Sequence, residues 1–405
     1  MKKYIHASFL FFALTALSGT WMRIYQQRPV SWIAYDHILH AHSHLALLGW
    51  LFVGAFLIFL TSFWKTIEKR KQAFAILFSL SFTSLLMFCA FLYQGYGIYS
   101  IAISTIHIFI EYWAAIFIIK HLKKQAILKA GRYFIIGAII ALILSSIGPF
   151  ALGFISANGL KEQPVFEIAI YYYLHFQYNG WLTLFLIGLF SIFLYKKRLP
   201  INEALLQKAF WIYFAALFPS FLLSILWANL GMTAEIFAAI GSIAQWAAVI
   251  LILFSFKDTF MLLKKRLPRI TWVMLIISFS LFFIKSTLEL GLIHPELANL
   301  VNTTRSVIIG YLHLTLLGFL SIFILVQYQI QGITSTSRFA AYSFTVFFIG
   351  FVLNELLLFF QTLAQWANLY TIPYVTNGLL LAAVLLSMGV ILMWFTVSSQ
   401  YKEAG

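Results

Sequence analysis

The feature that most constrains this chain is a recurring apolar segment, about 20 to 28 residues long and almost free of charge. Each is long enough to cross the hydrocarbon core of a bilayer as a helix. Twelve such segments can be drawn, near 4–24, 35–64, 72–97, 99–120, 133–157, 165–195, 205–228, 234–256, 271–293, 302–329, 339–363 and 373–398. In lipid the backbone has no partner but itself, so segments of this length are helices. They are too long and too uniformly apolar for the strands of a β-barrel. Of the 405 residues, 62% are hydrophobic and only 10% charged, whereas a soluble domain carries about a quarter charged residues. The connections are short, so the sequence reads as a single membrane domain over 1–405, all-α and polytopic. The N-terminal "MKKYIHASFLFFALTALSGTW" has a signal-like charge pattern. Its apolar run is long and no small-x-small site clearly follows, so it reads as a retained first span.

A net charge of +15 raises the possibility of nucleic acid, and the placement of the charges removes it. One set of connections holds Lys2, Lys3, Lys65, Lys69, Arg70, Lys71, Lys120, Lys123, Lys124, Lys129 and Arg132. The same set continues with Lys196, Lys197, Arg198, Lys208, Lys257, Lys264, Lys265, Arg266, Arg269, Arg338 and Lys402. The opposite set holds Arg23, Arg28, Lys161 and Arg305. By the positive-inside rule both termini are expected in the cytoplasm, in a bacterial-type inner membrane. The positive charge is therefore topological, and it suits an anionic lipid surface. Cys89 is the single cysteine. An intramolecular disulfide, covalent heme at CxxCH and a cluster built on this chain's own cysteines are all excluded.

With that orientation, every even-numbered span starts on the outer side, and the histidines gather there. "HILHAHSHLALLGW" opens span two with His37, His40, His42 and His44. His107 lies early in span four, His175 about ten residues into span six, and His313 about eleven into span ten. At about 1.5 Å per residue these share one layer in the outer half of the membrane. Three of them head a repeat: "HLALLGW" at His44, "HFQYNGW" at His175 and "HLTLLGF" at His313. Each is a histidine, four residues, a glycine (Gly49, Gly180, Gly318) and an aromatic. On an α-helix, histidine and glycine would stand about 140° apart, and the glycine would admit a flat cofactor or a neighbouring helix. Matched sites on spans two, six and ten predict three pseudo-threefold-related arcs of four helices.

Twelve helices, cytoplasmic termini and outer-side histidines on helices two, six and ten resemble the catalytic subunit of heme-copper oxidases and nitric oxide reductases. The stretch "HSHLALLGW", read as HxHxxxLGW, adds to that likeness. The resemblance spans the whole chain in topology and short motifs in sequence. It implies a low-spin b-type heme held by one histidine from helix two, His42 or His44, and by His313 on helix ten. It also implies a second, active-site heme ligand two residues before His313, where this chain has Tyr311. The copper or iron ligand of helix six falls on His175. The family's histidine pair on helix seven has no counterpart in "AFWIYFAALFPSFLLSILWAN". The binuclear centre is thus incomplete by the family's pattern.

Other residues are candidates on their own chemistry. His37, His40 and His44, at i, i+3 and i+7, share a helical face that can take zinc or copper, or can simply sit among headgroups. His107 and Glu111, at i and i+4 in span four, suit a proton relay or support of a ligand from behind. Arg305, about 12 Å along the helix from His313, suits a heme propionate, as do Arg23 and Arg28. Glu355 is the deepest acid in any span, while Glu167 and Glu289 are expected near the surface. His6, His121 and His294 read as interfacial. The functions this pattern leaves open are three. The first is a heme protein for electron transfer, sensing or support of a respiratory complex, with other subunits or a redox partner. The second is a heme-free transporter or metal-binding membrane protein. The third is a gas reductase with unusual ligands to a second metal.

Overall fold

In the computed structural model, residues 1–369 and 373–398 are described; Lys402 of the basic set lies outside them. Twelve helices are long and apolar enough to cross a membrane. They are Lys2–Gln27, Tyr35–Thr66, Arg70–Gln94, Ile98–Leu122, Lys129–Ala157 and Pro164–Lys196, then Glu203–Ala228, Met232–Ser255, Arg269–Ile293, Arg305–Ile330, Arg338–Trp366 and Tyr374–Trp394. They are numbered here as spans one to twelve. They match the twelve apolar segments of the sequence one for one, and the protein is an all-α polytopic membrane protein. Among the described residues the only β contact is an isolated bridge between Thr334 and Val397.

The span ends follow local chemistry. Pro164 occupies the first turn of span six, where its missing N–H costs nothing. The Asn202 side chain accepts from the Leu205 N–H at 3.0 Å, and Ser337 Oγ from the Ala340 N–H at 3.2 Å. Each satisfies one orphan donor of a helix start. Pro219 lies inside span seven, which tightens after it into a 3-10 stretch, Phe221–Ala228. Two short helices, Lys257–Arg266 and Pro295–Thr303, fill connections that read as loops in the sequence. The first carries Lys264, Lys265 and Arg266 in its last turn, where cations complement the helix dipole.

The helices gather into two compact units, Met1–His121 with Leu312–Gly405, and Leu122–Tyr311. In the first, spans eleven and twelve pack backbone to backbone. A Cβ on Gly389 would lie 2.5 Å from the Phe347 backbone, and one on Gly350 would lie 2.8 Å from Leu386 N. Small residues permit this approach, which stands in for the hydrophobic effect that lipid does not supply between helices. Phe12 stacks on Trp50 at 4.2 Å between ring centres. The Trp50 indole N–H donates to Ser321 Oγ at 2.8 Å, tying span two to span ten inside this unit.

Candidate functional site

The repeat seen in the sequence has a structural counterpart: all three motifs are π-helical. The stretches are Leu45–Phe52, His175–Leu182 and His313–Ser321, each flanked by α-helix. A π-helix bonds i to i+5, is rare, and concentrates at functional sites. The spacing from histidine to glycine is also five. The two residues therefore come to neighbouring positions on one face. The 140° separation expected for an α-helix is corrected, because the helix type changes at the motif. Two buried hydroxyls reinforce the wider turn by reaching five residues back. Thr183 donates to the Tyr178 carbonyl at 2.6 Å, and Ser321 to Leu316 at 2.7 Å. At Gly180 a Cβ would stand 2.6 Å from Ala141 Cβ, and at Gly49 it would stand 2.7 Å from Leu45 Cδ1. Phe11 Cγ of span one lies 3.3 Å from the Cβ position of Gly49, so a neighbouring helix approaches closely at both glycines.

The four histidines of span two divide by direction. His42 faces span one. Its Nδ1 lies 2.9 Å from the Thr15 carbonyl and 3.2 Å from Ser18 Oγ, and Gly19 leaves room for the ring. His37, His40 and His44 face the end of span three. His37 Nδ1 donates to the Leu92 carbonyl at 3.2 Å. His40 meets Tyr96 edge-on at 4.4 Å, and His44 lies on Phe91 at 4.2 Å. His44 Nδ1 is 2.9 Å from the His40 carbonyl. A carbonyl only accepts, so in His42 and His44 the proton sits on Nδ1 and Nε2 keeps its lone pair. This is the tautomer that suits a metal ligand. Among the described residues, no three His, Cys, Asp or Glu side chains come together as a donor set for a metal ion. Phe91 and Tyr96 pack beside the His40 and His44 rings of this face.

His313 opens the third π-helical stretch, is half-buried, and belongs to the same compact unit as His42. Arg305 is exposed at the start of the span and belongs to the other unit.

His175 bonds to protein through both ring nitrogens. Its Nε2 donates to the Leu217 carbonyl at 2.8 Å, and Nδ1 accepts from Asn179 Nδ2 at 3.3 Å. Both nitrogens are spent on protein, so this arrangement offers no lone pair to a metal. Around it lies a polar cluster whose centre the sequence reading passed over: Lys285, in "FFIKSTLEL" of span nine. Its side chain is 1% exposed. Nζ donates to Asn179 Oδ1 and, at 3.1 Å, to Glu289 Oε1. The same carboxylate oxygen accepts from Tyr311 OH and from Asn179 Nδ2 at 3.4 Å. The rings of Tyr178 and Tyr311 each lie 5.9 Å from Nζ, within cation–π range. Tyr213 OH donates to the Asn179 carbonyl at 3.0 Å. Glu289, expected near the surface, is instead 15% exposed and held by three donors. The available signal was the i, i+4 pair of opposite charges inside one apolar span. The Tyr311 hydroxyl serves an ion pair.

His107 and Glu111 are both buried, with Nε2 and Oε1 3.5 Å apart. His107 Nδ1 is 2.7 Å from Thr83 Oγ1. Glu355 is half-buried, and its Oε1 accepts from Asn354 Nδ2 at 3.0 Å. His6 accepts from the Trp394 indole at 3.0 Å, and His121 Nε2 lies 3.2 Å from Thr66 Oγ1.

No protein-family model matches this chain, and no curated protein matches it either.

Proposed function

We propose that the protein binds one low-spin b-type heme through His42 of span two and His313 of span ten, and serves electron transfer, sensing or support of a respiratory complex. The observation that carries this reading is the state of His42. Its Nδ1–H is committed to the Thr15 carbonyl, which orients the ring, fixes the tautomer and raises the basicity of Nε2. His44 has the same tautomer, but its ring lies flat on Phe91, away from span one. Two further features support the pairing. Both spans are π-helical in this region, and the Trp50–Ser321 bond holds them side by side. A bis-histidine heme exchanges single electrons and leaves no open position for a gas. The chain's part is to hold both imidazoles, exclude water with Phe12, Trp50 and their neighbours, and keep the rings from turning.

Reduction of oxygen or nitric oxide needs a second metal. With both His175 nitrogens bonded to protein, Tyr311 on Glu289 and no histidine in span seven, that reading lacks a donor set. The heme-free transporter reading draws on one observation, the buried Lys285–Glu289 pair, because intramembrane charges often mark a substrate path. The asymmetry of basic connections supports cytoplasmic termini in an inner membrane, with respiratory subunits or a redox partner as associated proteins.

Heme content of the purified protein tests the ligand assignment. His42→Ala and His313→Ala are expected to lose heme, while His44→Ala keeps it. Retention of heme in His42→Ala would sink the assignment.

A further inference from the structure

We propose that His107 and Glu111 form a proton-binding site, with Glu111 a protonated acid facing His107 Nε2, at the inner end of a polar stripe on span four. The argument starts at Thr83. Its Oγ1 lies 2.7 Å from the Ser79 carbonyl and 2.7 Å from His107 Nδ1. A hydroxyl has one proton, and the carbonyl can only accept it. With that proton on the carbonyl, Thr83 accepts from His107, and Nδ1 carries the ring proton. His107 Nε2 then presents a lone pair to Glu111 Oε1 at 3.5 Å. Among the described residues neither atom has a hydrogen-bond partner, and both residues are buried, at 0% and 2% exposure.

A lone pair facing a carboxylate in an apolar site is repulsive, so one proton belongs between them. With that proton on Glu111, its O–H faces Nε2 and no charge is buried. Placing it on the imidazole would leave an ion pair whose remaining carboxylate lone pairs have no donors, a costly arrangement in this medium. Of other titratable groups, His44 of span two acts on His107 electrostatically. The Phe52 ring stands edge-on to His107 at 6.4 Å and shields it.

The polar residues of this face lie toward one end of span four. Ser100, Ser104, His107 and Glu111 fall at i, i+4, i+7 and i+11, one face of span four. Ser100 is buried, at the end of the span beside the turn at 95–97, where its hydroxyl donates to the Gly95 carbonyl at 2.6 Å. Ser104 donates to the Ser100 carbonyl at 2.7 Å. Past Glu111 the same face continues as Ala114, Ala115, Ile118 and Leu122, all buried and apolar. The polar stripe thus runs from the 95–97 turn to Glu111 and stops. This inference is independent of the heme.

Infrared spectroscopy of the full-length purified protein tests it. The wild type is expected to show a protonated-carboxyl band that shifts in D2O, is lost in Glu111→Gln and persists in Glu355→Gln. Thr83→Val, which removes the Nδ1 partner, is expected to shift the band, a reading that stands even if Glu111→Gln does not fold. Ser104→Leu is expected to slow the deuterium shift. A band that survives in Glu111→Gln, or that ignores Thr83→Val, would overturn the site. An unchanged exchange rate in Ser104→Leu would overturn the role of the stripe.

Discussion

At the scale of the residue, two buried polar groupings define this molecule, and both depend on exact pairing. The Lys285–Glu289 pair is the clearer. Removing one partner leaves a charge in an apolar interior, which typically costs about 3–5 kcal/mol, whereas replacing both with apolar residues is far milder. Lys285→Met is therefore expected to lower the thermal midpoint of the detergent-solubilised protein strongly, and adding Glu289→Leu to recover much of the loss. A double variant no better than the single would show that the pair does not act as a unit. Lys285 was hard to see because sequence reasoning sorted basic residues by connection, and this one lies inside a span. The histidines were easier. Their crowding in "HILHAHSHLALLGW" was visible at once. Which ring faces span one, and which lie on Phe91 and Tyr96, depends on neighbours distant in sequence. The i, i+3, i+7 spacing separates His42 from the other three, but which neighbour each face meets is not contained in it.

At the scale of the element, the π-helical stretches carry the repeat. Histidine, four residues and glycine are legible in the sequence as a motif, but α-helical geometry turns the glycine away from the histidine, and the wider π turn brings it back. Composition does not separate π from α, because the difference lies in which carbonyl each N–H selects. The span ends follow local chemistry, since Pro164, Asn202 and Ser337 act on the helix starts beside them. Close packing of spans eleven and twelve gives a test at this scale. A Cβ on Gly389 would stand 2.5 Å from the Phe347 backbone, and backbone cannot yield as a side chain tip can. Gly389→Ala is expected to destabilise by about 1–3 kcal/mol, the usual range for overpacking, read as a lower thermal midpoint. At Gly153, where a Cβ would meet nothing within 4 Å, the same change is expected to leave the midpoint nearly unmoved. Equal effects at the two positions would contradict the packing account.

At the scale of the whole molecule, the number of spans was fully legible, because hydrocarbon thickness sets a length that sequence displays directly. The division into two compact units was not, since it follows from which helices touch. Orientation rests on charge placement and is open to a direct check. In a Cys89→Ser background, a cysteine at Lys161 is expected to react with an impermeant thiol reagent in intact cells, and one at Lys124 only after lysis. The reverse pattern would invert the topology. The central claim is the heme between spans two and ten. The most direct measurement is a reduced-minus-oxidised visible spectrum of the protein purified from heme-replete cells. The account predicts a sharp low-spin b-type band that disappears in His313→Ala; a colourless wild-type protein would contradict it.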